Sequence, residues 1–150
     1  MNTYVRSVIA GFAATVVLSL LMMMKAAMGL MPQLDVITML SGMAQSMIGM
    51  GGAGIGWLIH FLIGTVLWGV LFALLYDRLP GSQAIAKGMS FGVLAWVLMM
   101  ILAMPMAGAG LIGMKLGMMA PVLTLILHLF WGAVLGFVFS RLSTEAALST

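Results

Sequence analysis

Residues 55–76 of the chain read IGWLIHFLIGTVLWGVLFALLY, an apolar stretch that contains no charged side chain. At 1.5 Å per residue, about 20 helical residues cover the roughly 30 Å hydrocarbon core of a bilayer. Three further stretches of similar length and character occupy residues 5–24, 85–104 and 120–140. The sequence therefore predicts four membrane-spanning helices. The first is predicted to be a retained span, because its apolar run exceeds the roughly 7–15 residues of a signal peptide.

The composition of the chain agrees with this prediction. Apolar residues make up 64% of its 150 residues and charged residues 6%, whereas soluble proteins have roughly 45–50% and about 25%. Without cysteine there is no disulfide and no thiolate metal site, and six scattered basic residues form no nucleic-acid surface. We predict an all-α integral membrane four-helix bundle, a single transmembrane domain over residues 1–150 whose surroundings are the lipid bilayer.

The orientation of the spans follows from the basic residues in the short loops. Four fall on one side and two on the other: Arg6, Arg78, Lys87 and Arg141 against Lys25 and Lys115. Since basic loops stay in the cytoplasm, both termini are predicted to be cytoplasmic, in a bacterial inner membrane.

The chain contains an internal repeat of two spans, with predicted units at residues 5–78 and 84–141. His60-Phe-Leu-Ile-Gly64 in the second span matches His128-Leu-Phe-Trp-Gly132 in the fourth. Both units must insert in the same direction, so the symmetry axis is expected along the membrane normal.

Small residues recur at helical spacing on the predicted spans. Gly88-xxx-Gly92 lies on the third span and Gly132-xxx-Gly136 on the fourth. Such faces let helix backbones approach closely in lipid. They predict either a tight four-helix bundle or a seam for a homo-oligomer or a larger membrane complex, and both alternatives stay open.

The first loop contains a short amphipathic pattern. Met39, Met43 and Met47 recur every four residues, after Asp35 and before the glycines that start at Gly49. This spacing predicts a short helix too polar to span, lying on the extracytoplasmic surface or capping the bundle.

The residue types needed for catalysis are missing from the predicted spans. No Asp or Glu lies in any of them, and no catalytic triad or phosphate-binding glycine motif can be assembled. We therefore predict no enzymatic activity and a structural, accessory or assembly role in the membrane.

His60 and His128 are the candidate cofactor-binding residues, because an intramembrane histidine marks a candidate functional site. The alternative is that each histidine hydrogen-bonds to a neighbouring helix and only joins the two helices.

Eighteen methionines supply candidate metal ligands. Met24 with Met28, and Met100 with Met104, each place two thioethers one helical turn apart. Thioethers select Cu(I), and imidazole completes such a site, so a copper site formed by these four residues with His60 and His128 is the alternative function. A haem b held by the two histidines is the third hypothesis, and methionine as a flexible core side chain needs no ligand.

Three stretches carry a resemblance to a known family. They are Arg6-Ser-Val-Ile-Ala-Gly-Phe, Met104-Pro-Met-Ala-Gly-Ala-Gly-Leu and Gly56-Trp-Leu-Ile-His-Phe, the last with its echo at His128. Through them the chain resembles small bacterial inner-membrane proteins grouped as a domain of unknown function. The resemblance implies a membrane location and four spans, and it implies no activity.

Overall fold

The apolar stretches form helices slightly longer than the sequence predicts. The computed structural model describes residues 1–148, which form five α-helices, a 3-10 helix at Leu111–Leu116 and no strand. In chain order the α-helices are α1 (Thr3–Ala27), α2 (Val36–Ile48), α3 (Ala53–Arg78), α4 (Ala84–Met106) and α5 (Met119–Leu148). All but α2 are long and apolar enough to cross a membrane by length and composition. The predicted all-α fold with four long apolar helices is confirmed.

The long helices are arranged in the order α3, α1, α5, α4. α1 packs against both α3 and α5, and α4 packs along α5. We call the end near residues 1 and 140 the termini end and the opposite end the loop end. α3 and α4 meet mainly toward the termini end, where Phe91 of α4 contacts Trp68 and Phe72 of α3 with ring centroids 5.9 and 5.3 Å apart.

Glycines set the distance between the paired helices. A Cβ on Gly88 would overlap the backbone of Gly132, and a Cβ on Gly92 would overlap the carbonyl of His128. In the other pair, a Cβ on Gly64 would overlap the side chain of Thr15. The small-residue faces predicted from the sequence are thus used between helices of the same chain.

The internal repeat stays a prediction. Two glycines that the repeat relates, Gly11 and Gly92, make similar contacts. A Cβ on Gly11 would meet the carbonyl of Gly64 on α3, and a Cβ on Gly92 would meet the carbonyl of His128 on α5. The two units differ elsewhere, because the π-helical turns of the structure fall at Leu62–Leu67 in α3 and at Met99–Ala103 in α4, helices that the repeat does not relate.

The short helix α2 starts and ends where the sequence predicts. Asp35 caps its first turn by accepting a hydrogen bond from the Thr38 amide at 3.0 Å, and Gly49 ends it in the left-handed conformation at φ 71°. Burial by itself raises the pKa of Asp35. The hydrogen bonds from Thr38 and Ile37, helped by the charge of Lys25, outweigh burial and lower this pKa below its ordinary value of 3.8.

Replacing Gly132 by Ala should destabilise the bundle. The new methyl group meets the backbone of Gly88, and overpacking of this kind costs roughly 1–3 kcal/mol. The measurement is the melting temperature in detergent. The matched control is Gly54→Ala, where a Cβ meets nothing within 4 Å and helix propensity improves. Equal melting temperatures for the two variants would contradict the close packing of α4 against α5 at Gly132.

Removing the cap of α2 should loosen that helix. Asp35→Ala is expected to cost about 1 kcal/mol, roughly a fivefold rise in the opening equilibrium, whereas Asp35→Asn retains a cap. The measurement is hydrogen exchange of the α2 amides. Because folding lowers the pKa of Asp35, the contribution of the carboxylate is present above pH 3.8 and is lost as the pH falls through the lowered pKa. If the α2 amides of Asp35→Ala exchanged at the wild-type rate, the assignment of Asp35 as the stabilising N-cap of α2 would be refuted.

Candidate functional site

A cavity of about 450 Å³ lies in the loop-end half of the bundle. All four long helices and α2 line it, and its walls are almost entirely apolar. Trp131 and Ala95, from the aromatic core of the termini end, also line the cavity. Met104, from a second apolar cluster at the loop end, lines it as well. The cavity therefore separates two packed regions of one bundle.

Two of the helices that line the cavity, α3 and α4, each contain a π-helical turn next to it. The π-helical turn Leu62–Leu67 follows His60 almost directly in α3, and the turn Met99–Ala103 lies in α4. Pro105 explains the second turn, because proline lacks an N–H and its ring clashes with the carbonyl four residues earlier. π-Helical turns occur frequently at functional sites, and both of these contribute residues to the cavity wall.

The cavity opens toward the surrounding membrane between α3 and α4. Leu67 of α3 and Leu102 of α4 both line the cavity, yet their exposed fractions are 50% and 55%. On the loop-end side of the aromatic contacts of Phe91, few contacts join α3 to α4. The cavity is thus accessible from the side of the bundle, between two apolar helices.

A second opening lies between α2 and the loop end of α4. We call it the loop-end cleft; it has a volume of about 480 Å³. The cleft shares four residues with the cavity: Met39, Met43, Met106 and Ala107. It forms because α2 packs on α3, where a Cβ on Gly56 would overlap the carbonyl of Ile37, and leaves α4 largely uncovered.

His60 lies on the wall formed by α3 and is 8% exposed. Its Nε2 lies 3.2 Å from Oγ of Ser19 on α1. The Ser19 hydroxyl donates its one hydrogen to the carbonyl of Thr15 at 2.7 Å, so its oxygen accepts from Nε2–H of His60. The remaining nitrogen, Nδ1, has no hydrogen-bond partner among residues 1–148.

His128 lies on the wall formed by α5. Its Nδ1 is 2.8 Å from the backbone carbonyl of Thr124 one turn earlier. A carbonyl only accepts, so Nδ1 carries the hydrogen and Nε2 is the free acceptor. Nε2 likewise lacks a partner within the described part of the chain, and no acidic side chain of that part lines the cavity.

One cation lies at the loop end of the cavity wall. Nζ of Lys25 donates to the carbonyls of Met31 at 3.0 Å and Leu34 at 2.7 Å. These bonds hold the segment between α1 and α2 over the cavity. Leu34 itself is buried.

The structure brings three of the six predicted site residues to the cavity: His60, His128 and Met104. Met100 is buried beside it in the loop-end apolar cluster. Met24 and Met28 are 56% and 65% exposed and contribute nothing to the wall. For the histidines, His60 bonds to a neighbouring helix and His128 to its own, while both line the same cavity.

Five methionines that were not among the predicted metal ligands also line the cavity: Met22, Met39, Met43, Met99 and Met106. Their only sequence signal is the four-residue spacing of Met39 and Met43, which indicated an apolar face of α2 but not the surface that this face covers. Among the side chains of residues 1–144, no three His, Asp or Glu residues are grouped closely enough to hold a metal ion. The copper and haem b sites stay predictions.

The comparisons with known proteins give a family and no activity. No curated protein and no solved structure matches the chain. The resemblance found in the sequence to a family of unknown function is confirmed. The model of the family of unknown function DUF6789 matches residues 1–150, and the chain belongs to this family.

Proposed function

We propose that the protein is a non-catalytic membrane protein that binds a small, largely apolar molecule taken from the bilayer. The observation that carries this proposal is the cavity of about 450 Å³, lined by all four long helices and containing two imidazoles. Ligand pockets in proteins typically have about 300–1,000 Å³ and apolar walls with a few polar groups.

The cavity favours binding over a purely structural role. Protein interiors are close-packed, and an unfilled void lowers stability because the lining side chains lose contacts. A bundle that served only as a scaffold would gain stability from larger side chains at wall positions such as Ala103, which lines the cavity. A structural or assembly role in a larger complex remains compatible with ligand binding.

The chemistry of the lining supports binding without reaction. Each imidazole has one nitrogen committed to a fixed partner, Ser19 or Thr124. No carboxylate of the described residues lines the cavity to assist these rings in proton transfer, and we therefore propose a binding site without a reaction.

We propose further that the chain lies in a bacterial inner membrane with both termini in the cytoplasm. Four of the six basic residues, among them Arg6 and Arg141, lie at the termini end. In this orientation the loop-end cleft and α2 face the outer compartment.

A second candidate function is binding of Cu(I) from the outer side. The observation that favours it is the group of thioethers Met39, Met43 and Met106 around the loop-end cleft, since thioethers are soft ligands selective for Cu(I). This site differs from the one predicted from the sequence, because it uses neither Met24 nor Met28.

The orientation is tested with reporter fusions. Fusions after Thr150 and within residues 78–86 should report cytoplasm, and a fusion after Gly51 should report the outer compartment, because the positive-inside rule fixes the direction of insertion. An outer signal at Thr150 would reject this orientation.

Ligand binding is tested with bromobenzene on protein in lipid nanodiscs. Trp68 and Trp131 line the cavity, so bound bromobenzene should quench tryptophan fluorescence in a saturable manner. Ala103→Phe fills the cavity and should abolish saturable quenching. The matched control is Ile101→Phe in the same helical turn, since Ile101 is exposed and absent from the wall. Identical quenching of the two variants would refute binding in the cavity.

Copper binding is tested by titrating Cu(I) into the purified protein against a competing chelator. The double variant Met39→Leu/Met43→Leu should lose at least about tenfold in affinity, because leucine retains the volume and removes both soft ligands. Met24→Leu/Met28→Leu is the matched control and should bind like wild type. Unchanged affinity in the first variant would eliminate the thioether site.

A further inference from the structure

Each of the two histidines in the cavity wall has one ring nitrogen that acts as a hydrogen-bond acceptor. His60 presents Nδ1 and His128 presents Nε2, because the other nitrogen of each ring carries the hydrogen and donates it to Ser19 or to the Thr124 carbonyl. A neutral imidazole has one donor and one acceptor, so neither ring has a second hydrogen to give.

The surrounding structure fixes these roles. The Ser19 hydroxyl has one hydrogen, and the Thr15 carbonyl at 2.7 Å is a closer acceptor than Nε2 of His60 at 3.2 Å, which assigns this hydrogen to the carbonyl. The ring of His60 makes T-shaped contacts with the rings of Trp57 and Phe61, with centroids 5.7 Å away in both cases. Rotation of either ring would break the bond that it now makes, and the roles of its nitrogens are therefore preorganised.

Nearby polar side chains have hydrogen-bond partners other than the two imidazoles. The indole N–H of Trp131 donates to Oγ1 of Thr15 at 3.3 Å. The hydroxyl of Thr124 donates to the carbonyl of Ala120 at 2.7 Å. Neither group satisfies the free imidazole nitrogens, and the rest of the wall at this level is apolar.

We propose that the cavity recognises an apolar molecule that carries a hydroxyl group, an alcohol or a phenol, whose O–H donates to Nδ1 of His60 or Nε2 of His128. This inference rests on the proposed function and specifies its ligand class. A ligand of the same shape without a hydroxyl hydrogen leaves both acceptors unpaired in an apolar cavity. An unpaired buried acceptor costs more than an ordinary hydrogen bond contributes, so the hydroxyl decides the affinity.

The opening between α3 and α4 fits this ligand class. Leu67 and Leu102 are on the route from the lipid, and a neutral hydroxyl can pass them, whereas a charged head group would lose its hydration there. The imidazoles lie beyond this route on α3 and α5, and the ligand therefore enters with its apolar body in contact with leucine side chains.

The test compares 4-bromophenol with 4-bromoanisole, which have similar shape and differ in the hydroxyl hydrogen. Both quench tryptophan, and binding is measured on the wild-type protein in lipid nanodiscs after correction for partitioning into empty nanodiscs. We expect 4-bromophenol to bind roughly tenfold more tightly, the effect of about one good hydrogen bond. The double variant His60→Phe/His128→Phe should bind both compounds equally.

A second measurement needs no variant and guards against misfolding of the double substitution. In wild-type protein with ¹⁵N-labelled histidine, 4-bromophenol should shift the resonance of an unprotonated ring nitrogen, Nδ1 of His60 or Nε2 of His128. 4-Bromoanisole should leave both resonances in place. Shifts of the protonated nitrogens alone would overturn the assigned roles.

The outcomes separate this inference from the proposed function. Equal, saturable binding of 4-bromophenol and 4-bromoanisole, abolished by Ala103→Phe, would overturn hydroxyl recognition and leave the apolar binding site standing. Absence of saturable binding by either compound and by bromobenzene would overturn both. A phenol preference that persists in the folded double variant would overturn recognition by the histidines.

Discussion

The close approach of α4 to α5, and of α3 to α1, determines the rest of the architecture. Gly88 and Gly132 bring the backbones of α4 and α5 into contact, and Gly64 receives Thr15 of α1. Each outer helix is thereby held against an inner partner and away from the other outer helix. α3 and α4 then touch mainly through Phe91 and its aromatic neighbours, and the space above these rings becomes the cavity. A lipid environment permits this arrangement because helix association there depends on packing and not on water exclusion.

The two π-helical turns lie in the two outer helices, next to the cavity that this packing leaves. A helix with a π turn has an irregular hydrogen-bond pattern, and such turns persist mainly where function uses them. Here they lie on both sides of the gap between α3 and α4, at Leu62–Leu67 and Met99–Ala103. Both turns contribute residues to the cavity wall, and the turn in α3 also packs against α1 through Gly64.

The histidines combine contacts within the bundle with a place in the wall of the proposed binding site. His60 joins α3 to α1 through Ser19, as the hypothesis of a purely structural histidine predicted, and it also lines the cavity. His128 bonds to the Thr124 carbonyl in its own helix and so contributes nothing to helix association by that bond. Both rings have the pattern of an oriented ligand residue, one nitrogen fixed and the other free.

The sequence by itself determined the four long helices, the cap at Asp35, the end of α2 at Gly49 and the small-residue faces, because these depend on local hydrophobicity, capping and spacing. It also indicated His60, His128 and Met104. Only the tertiary structure decided which glycine faces meet, that Met24 and Met28 face outward, and that the apolar face of α2 covers the cavity. The physical reason is that an apolar helix in lipid has no polar face to reveal its inward side. Its rotation and partners are set by contacts between residues far apart in the chain.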